Sequence, residues 1–125
     1  MKCVTIIHIF YYDLLDELSA AVKNIQNLEN DIYITIPESL KSRTEEIKGK
    51  FPGATLLTVS NVGYDIWPFL YVLGKVDLDE YDFIVKLHTK GNAHGKLKNV
   101  SIDRAEWRRR LLNFISSKDN FFKTL

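Results

Sequence analysis

The sequence predicts an α/β protein: a Rossmann-like, mostly parallel sheet of about four strands with helices on both faces. Three observations carry this prediction. Short runs rich in β-branched and aromatic residues alternate with longer segments whose apolar residues follow helical spacing, in the order βαβαβαβα. The chain of 125 residues has the length of one domain of about 100–200 residues. Its 46% hydrophobic and 26% charged residues are typical of a globular protein.

The first half of the chain supplies two strands and two helices. Residues 2–10 form a predicted strand because β-branched and aromatic side chains dominate them. Residues 14–28 carry apolar side chains at helical spacing, which predicts a helix with one buried face. Residues 31–36 read as a short strand that Pro37 ends, and a second helix follows with Ile47 on its buried side.

The second half repeats the alternation. Residues 54–59 form a predicted third strand, and a loop leads to a helix that begins at Asp65 and tolerates Pro68 in its first turn. Residues 82–87 form the fourth predicted strand. A polar segment then precedes a last helix that carries Trp107, whose spacing from the following leucines favours a core position.

Charge and cysteine content exclude several classes of protein. The single cysteine, Cys3, excludes an internal disulfide and a cysteine-only metal site. No apolar run reaches the ~18–20 residues of a membrane span, and the N-terminus does not resemble a signal peptide, so we expect a cytoplasmic protein or one peripheral to the inner face of the membrane. Residues 86–110 carry eight basic and two acidic side chains within a chain of net charge +1. This basic block can attract an anion.

Three loops are expected at the edge of the sheet where ligands bind. In open α/β sheets that edge is formed by the carboxyl ends of the strands, near a topological switch point. The loops are residues 11–13, 61–65 and 88–95. The third loop lies in the basic block, so charge and topology indicate the same region.

The second loop has the pattern Asn61-x-Gly63-x-Asp65. Gly63 can take a positive φ and lets a ligand approach the backbone. Asp65 can accept hydrogen bonds from a ribose, a base or a sugar hydroxyl. The alternative is an ordinary turn in which Asp65 only caps the next helix.

The end of the fourth strand places Lys86, His88 and Lys90 on one side by alternation. Cations that face one way need an anion or carboxylates between them. The alternative is that Lys86 pairs with an acid such as Asp82 or Asp65. His88 and His94 have no carboxylate or cysteine nearby in sequence, which makes them a poor zinc site. His8, inside the first strand, is expected to be a hydrogen-bonded core residue.

Four stretches together resemble the rhamnan synthesis F family of bacterial cell-surface polysaccharide biosynthesis. They are residues 7–15, residues 61–70 with their asparagine-glycine-aspartate-isoleucine-proline-phenylalanine pattern, residues 81–90 with lysine-leucine-histidine-threonine-lysine, and a tryptophan-arginine helix at Trp107-Arg108. The resemblance implies a role in rhamnose-containing polysaccharide or lipopolysaccharide synthesis, as a rhamnosyltransferase-like glycosyltransferase that uses a nucleotide-sugar donor. Val62 and Tyr64 depart from the family, in which arginines are common there.

A wider resemblance is to the nucleotide-binding half of GT-A glycosyltransferases. Their metal-binding Asp-x-Asp triplet follows the fourth strand, where this chain has His88-Thr89-Lys90. A histidine and a lysine would repel a divalent ion, so the resemblance implies direct cationic contacts to the donor diphosphate, with no metal and no other cofactor. The substrate-binding residues so implied are Asn61, Gly63, Asp65, Lys86, His88, Lys90, His94 and Arg108, and the catalytic base stays unassigned.

The unit expected from these resemblances is a single α/β domain over residues 1–125, by itself or as the donor-binding half of a larger glycosyltransferase. Its expected partners are a donor like dTDP-rhamnose, a glycan or lipid-linked acceptor and membrane-associated assembly proteins, with no nucleic acid. The alternative is a non-catalytic module that binds sugar phosphates or a partner protein of a polysaccharide assembly system.

Overall fold

The computed structural model of the chain describes residues 1–25, 28–89 and 104–124. Its four strands form one sheet in which every pair is parallel and the spatial order is β3-β2-β1-β4. The strands are β1 (Lys2–His8), β2 (Glu29–Pro37), β3 (Thr55–Val59) and β4 (Phe83–His88). The predicted fold class, a parallel α/β sheet, is therefore confirmed.

Helices connect the strands and follow the last one. They are α1 (Leu15–Lys23), α2 (Thr44–Lys50), α3 (Ile66–Leu73), α4 (Arg104–Leu111) and α5 (Lys118–Thr124). Short 3₁₀ turns precede α1 and α2, and another separates α4 from α5. The last predicted helix is thus two helices with a turn between them. Pro68 is the third residue of α3, where a proline removes no helical hydrogen bond.

The sheet is covered on both faces, as predicted. One face carries the larger core, in which Ile7, Ile34 and Leu87 pack with residues of α1 and α2 and with Ile115 and Phe121 near the end of the chain. The other face carries Val4 and Ile6 of β1, which pack against Val72 of α3. A central strand covered on both faces is apolar at almost every position, which explains the continuous hydrophobic run of β1.

The order of the strands creates a switch point between β1 and β4. The chain leaves β1 toward β2 and β3, then crosses back to place β4 on the other side of β1. The register sets His8 beside His88 on β4 and beside Thr35 on β2. A crevice at the carboxyl ends of such strands is where ligands bind in open α/β sheets.

The first strand ends two residues earlier than predicted. Beyond His8 the Ile9 amide still donates to the Thr35 carbonyl of β2 at 2.9 Å, but the amides of Phe10 and Tyr11 both donate to the Thr89 hydroxyl instead, at 2.9 and 3.0 Å. In the part of the chain that the structure describes, no helix is both long and apolar enough to cross a membrane.

Candidate functional site

An open cavity of about 330 Å³ lies at the carboxyl ends of β1 and β4. Its walls come from three parts of the chain: the end of β1, the loop before α3, and the end of β4. The lining residues are His8, Phe10, Tyr11, Asn61, Tyr64, Asp65, His88 and Thr89. All three loops expected from the sequence therefore contribute to it, through Tyr11, the 61–65 loop and the start of the 88–95 segment.

The loop before α3 depends on a glycine. Gly63 has φ +69°, and Tyr64 after it has φ +53°, so two successive residues adopt the left-handed region. A Cβ on Gly63 would lie 2.9 Å from Cβ of Trp67. The carbonyl of Gly63 accepts the amide of Ile66 at 3.0 Å, which starts α3. The predicted positive φ at Gly63 is confirmed, and it turns the chain so that Asn61 and Tyr64 line the cavity.

Asp65 stands at the N-cap position of α3, but its carboxylate makes no capping hydrogen bond. Its Oδ2 instead pairs with the Lys86 ammonium and lies 3.5 Å from Nδ1 of His88. Helix capping by the Asp65 side chain is therefore wrong, and the alternative ion pair with Lys86 is confirmed. Partial burial raises the pKa of Asp65, but the Lys86 hydrogen bond and the charges of His88 and Lys86 outweigh it and hold that pKa below 3.8.

Lys86 is connected to the cavity wall by its ion pair with Asp65, which lines the cavity. Its side chain is 33% exposed, and its ammonium lies 5.6 Å from the centre of the Phe69 ring on α3. The predicted alternation is confirmed for Lys86 and His88, since both side chains reach the same carboxylate. Because Asp65 offsets the Lys86 charge, this cluster carries little net charge unless His88 is protonated.

His8 is buried, with 7% exposure, and it also lines the cavity. Its Nδ1 lies 2.9 Å from Oγ1 of Thr35, and the Thr35 hydroxyl in turn donates to the carbonyl of Ile7 at 3.4 Å. Burial is the main cause that lowers the pKa of His8, and the positive charges of His88 and Lys86 add to it against the opposing charge of Asp65. His8 is thus the hydrogen-bonded histidine that the sequence predicted.

Thr89 joins the two strands that flank the switch point. Its side chain accepts two backbone amides from the segment after β1, and its own amide donates to the His8 carbonyl at 3.1 Å. The hydroxyl therefore fixes Phe10 and Tyr11, two aromatic residues of the cavity wall, relative to β4.

Comparison with known proteins assigns the chain to a family. A model of the family described as rhamnan synthesis protein F matches residues 1–124. The chain belongs to the rhamnan synthesis protein F family. The resemblance noted in the four sequence stretches is therefore confirmed, and this family places the chain with the synthesis of rhamnan-type polysaccharides.

Two curated relatives of this rhamnan synthesis F domain come from strains B100 and ATCC 33913 of Xanthomonas campestris pv. campestris. Both are named uncharacterized protein WxcX, and each is 30% identical over 92 residues. The match covers 74% of this chain and 13% of the relative. No solved structure gives a significant match.

The structure brings together part of the predicted site. Asn61, Asp65 and His88 line the cavity, Gly63 shapes its loop, and Lys86 joins it through Asp65. Of the other three predicted residues, Lys90 and His94 lie outside the described residues, and Arg108 belongs to α4, with its side chain outside the described part of the chain. Among the residues described, no group of three histidine, cysteine or acidic side chains could hold a metal ion.

Five lining residues were not among the predicted binding residues. Phe10, Tyr11 and Tyr64 present aromatic rings, His8 presents an imidazole, and Thr89 presents a hydroxyl. Tyr11 was inside a loop expected at this edge, but its side chain had no distinguishing pattern. His8 gave no usable signal, because the predicted strand ran to residue 10 and placed His8 inside it, whereas the structure sets it beside His88 at the strand end.

Proposed function

We propose that this domain binds the nucleotide-sugar donor of a polysaccharide glycosyltransferase, a donor like dTDP-rhamnose, in the cavity between β1 and β4. The observation that carries the proposal is the position of that cavity, at the topological switch point of a parallel sheet. Membership of the rhamnan synthesis protein F family supports a sugar-transfer role. The glycan or lipid-linked acceptor and membrane-associated partners belong to the same proposal.

Two kinds of side chain line the cavity. Asp65 and His88 are polar, and Lys86 is joined to them through its ion pair with Asp65, while Phe10, Tyr11 and Tyr64 are aromatic. A lysine ammonium has three donors, so Lys86 can keep Asp65 and still donate to a phosphate oxygen. A protonated His88 adds a second cation, and Lys90, His94 and Arg108 are proposed to complete the positive charge around the diphosphate.

We further propose that donor binding requires no divalent metal. The residues His88, Thr89 and Lys90 occupy the place of the acidic triplet of GT-A enzymes. Such a triplet supplies two carboxylate side chains, and magnesium and calcium prefer oxygen ligands of this kind. This chain has neither carboxylate at those positions.

The test is a titration of the ¹⁵N-labelled chain with dTDP-rhamnose and with dTDP, with and without magnesium or manganese. We expect saturable amide shifts in residues 61–65 and at His88 and Thr89, unchanged by either metal. An absence of shifts at millimolar ligand would contradict donor binding by this domain, and shifts that need magnesium would contradict the metal-independent site.

Single lysine variants separate a specific site from diffuse attraction. Lys86→Met and Lys90→Ala should each weaken dTDP binding about tenfold or more, because each removes a hydrogen bond to a charged group worth about 1.5–3 kcal/mol. Lys96→Ala is the matched control in the same basic block and should change the dissociation constant less than threefold. Equal losses for Lys90→Ala and Lys96→Ala would indicate a diffuse charge effect.

A second candidate is a non-catalytic module that binds sugar phosphates or a partner transferase. The observation that favours it is that Asp65, the carboxylate in the described wall of the cavity, is paired with Lys86 instead of being available as a catalytic base. Release of free rhamnose from dTDP-rhamnose by the purified chain would favour the transferase. Saturable binding without turnover would favour the module.

A further inference from the structure

His8 lies at the meeting point of three strands. It ends β1, the strand between β2 and β4, and its register partners are Thr35 and His88. Its side chain reaches the cavity although only 7% of the residue is exposed. A buried histidine in that position presents little more than one ring edge to a ligand.

The contacts of Thr35 favour one tautomer of the His8 imidazole. The Thr35 hydroxyl lies 2.9 Å from Nδ1 of His8 and 3.4 Å from the Ile7 carbonyl. A threonine hydroxyl has one hydrogen to donate, and a carbonyl can only accept. When the hydroxyl donates to the carbonyl, Nδ1 donates to the Thr35 oxygen, and the neutral imidazole keeps its lone pair on Nε2.

The surroundings keep this imidazole neutral near pH 7. Burial lowers its pKa below 6.5, and the charges of His88 and Lys86 on β4 act in the same direction. Asp65 before α3 and a hydrogen bond to the Thr35 backbone oppose them. Tyr11 and Tyr64 are the other titratable groups in the cavity wall. Among the described residues, the side-chain hydrogen bond of the ring is made by Nδ1, not by Nε2.

We infer that His8 is a fixed hydrogen-bond acceptor in the cavity, whose Nε2 accepts from an O–H or N–H group of the nucleoside part of the ligand. The inference about the ligand rests on the proposed function. A thymidine nucleotide offers two such donors, the imide N–H of the base and the 3′-hydroxyl of the deoxyribose. Phe10 and Tyr11 line the same cavity with rings that a planar base could contact.

The protonation state of His8 can be measured without any ligand. Long-range ¹H–¹⁵N NMR spectra of the imidazole at pH 7 should show a protonated Nδ1 and a bare Nε2. Thr35→Val removes the acceptor and should mix the two tautomers. A proton on Nε2, or a doubly protonated ring at pH 7, would overturn the inference whether or not the chain binds nucleotides.

The ligand contact is tested with dTDP and two variants of His8. In His8→Asn the amide nitrogen overlays Nδ1, so the bond to Thr35 stays while the cavity acceptor is lost. We expect dTDP to bind about 2- to 13-fold more weakly, the equivalent of one hydrogen bond of about 0.5–1.5 kcal/mol. In His8→Gln the amide oxygen lies near the Nε2 position and should restore part of the affinity.

Ligand analogues identify which donor His8 accepts from. If the base is the donor, the N3-methyl analogue should bind the wild-type protein more weakly than dTDP, by the same factor as His8→Asn weakens dTDP binding. If the sugar is the donor, the 3′-deoxy analogue should show that loss of affinity. Wild-type affinity in His8→Asn, with a Nε2 resonance that dTDP does not move, would overturn the contact. If a variant fails to fold, the shift of the wild-type Nε2 resonance decides alone.

The pH dependence has a defined sign. The contact needs neutral His8, so its contribution is complete above the His8 pKa and is lost as the pH falls through it, below 6.5. His8→Gln retains His88 and leaves the ligand phosphate unchanged, so any effect of pH on those groups is common to both proteins. The wild-type affinity should therefore fall more steeply than that of His8→Gln between pH 7 and pH 5, and parallel profiles would contradict the inference.

A wild-type chain that does not bind dTDP would refute the proposed function, while the tautomer measurement would still decide the state of His8.

Discussion

Single side chains determine the arrangement of the cavity wall, and the ion pair of Asp65 illustrates how much such an interaction stabilises the fold. The carboxylate could cap α3 or pair with the cations of β4, and it pairs. Asp65 and Lys86 are 25% and 33% exposed, so solvent screens their attraction and the pair stabilises the fold by no more than about 1 kcal/mol. Its main effect is to orient Lys86 beside the cavity.

Thr89 has a larger energetic role than its size suggests. Thr89→Val keeps the shape of the side chain but leaves the amides of Phe10 and Tyr11 without their acceptor. An unsatisfied, partly buried donor costs about 1–3 kcal/mol, so we expect the free energy of unfolding in urea to fall by that amount. Thr89→Ser keeps the hydroxyl and should recover most of the loss. Equal losses for both variants would show that packing, not the hydroxyl, is responsible.

At the scale of elements, the loop and helix from Asn61 to Leu73 act as one wall of the site. Gly63 and Tyr64 turn the chain, and Val72 anchors α3 on the sheet beside Val4 and Ile6. The position of Asp65 over β4 follows from this arrangement, because Asp65 directly precedes the helix.

Gly63→Ala tests the loop. A left-handed alanine costs about 1–2 kcal/mol, and its Cβ would lie 2.9 Å from Cβ of Trp67, so we expect a loss of about 1–3 kcal/mol in urea unfolding. The matched control is Gly49→Ala in α2, where a Cβ meets nothing within 4 Å. That change should stabilise the protein by about 0.5–1 kcal/mol, since alanine is the better helix former. Stabilisation by both variants would contradict the strain at Gly63.

At the scale of the whole molecule, the sheet behaves as one unit because β1 pairs with β2 and with β4. Cys3 lies on β1 and has no exposed surface. Burial raises the pKa of its thiol to about 11, against an ordinary value near 9. The thiolate that reacts with alkylating reagents is therefore both scarce and inaccessible in the folded protein.

Alkylation of Cys3 should consequently report the opening of the sheet. At pH 8 we expect a rate far below that of the chain in denaturing urea, and a ratio of the two rates that tracks the free energy of unfolding. Mass spectrometry of the iodoacetamide adduct measures both rates. Rapid modification under native conditions would mean that β1 separates from its neighbours without global unfolding.

Local patterns were sufficient to predict much of this molecule. Strands, helices and turns depend on side-chain spacing along the chain, so the alternation of elements, the positive φ of Gly63 and the common side of Lys86 and His88 were all readable. The ends of elements were less predictable. Phe10, predicted to end the first strand, instead donates its amide to a hydroxyl 79 positions away, which no local pattern encodes.

The α/β class, the family motifs and the three loops at one edge of the sheet could be derived from the order of residues alone. The position of β4 beside β1 could not, and it sets His8 beside His88, pairs Asp65 with Lys86 and, with β2, surrounds His8 by Thr35 and His88. The physical reason is that strand order and side-chain pairing join residues far apart in the chain, and they follow from how the helices pack on the two faces of the sheet.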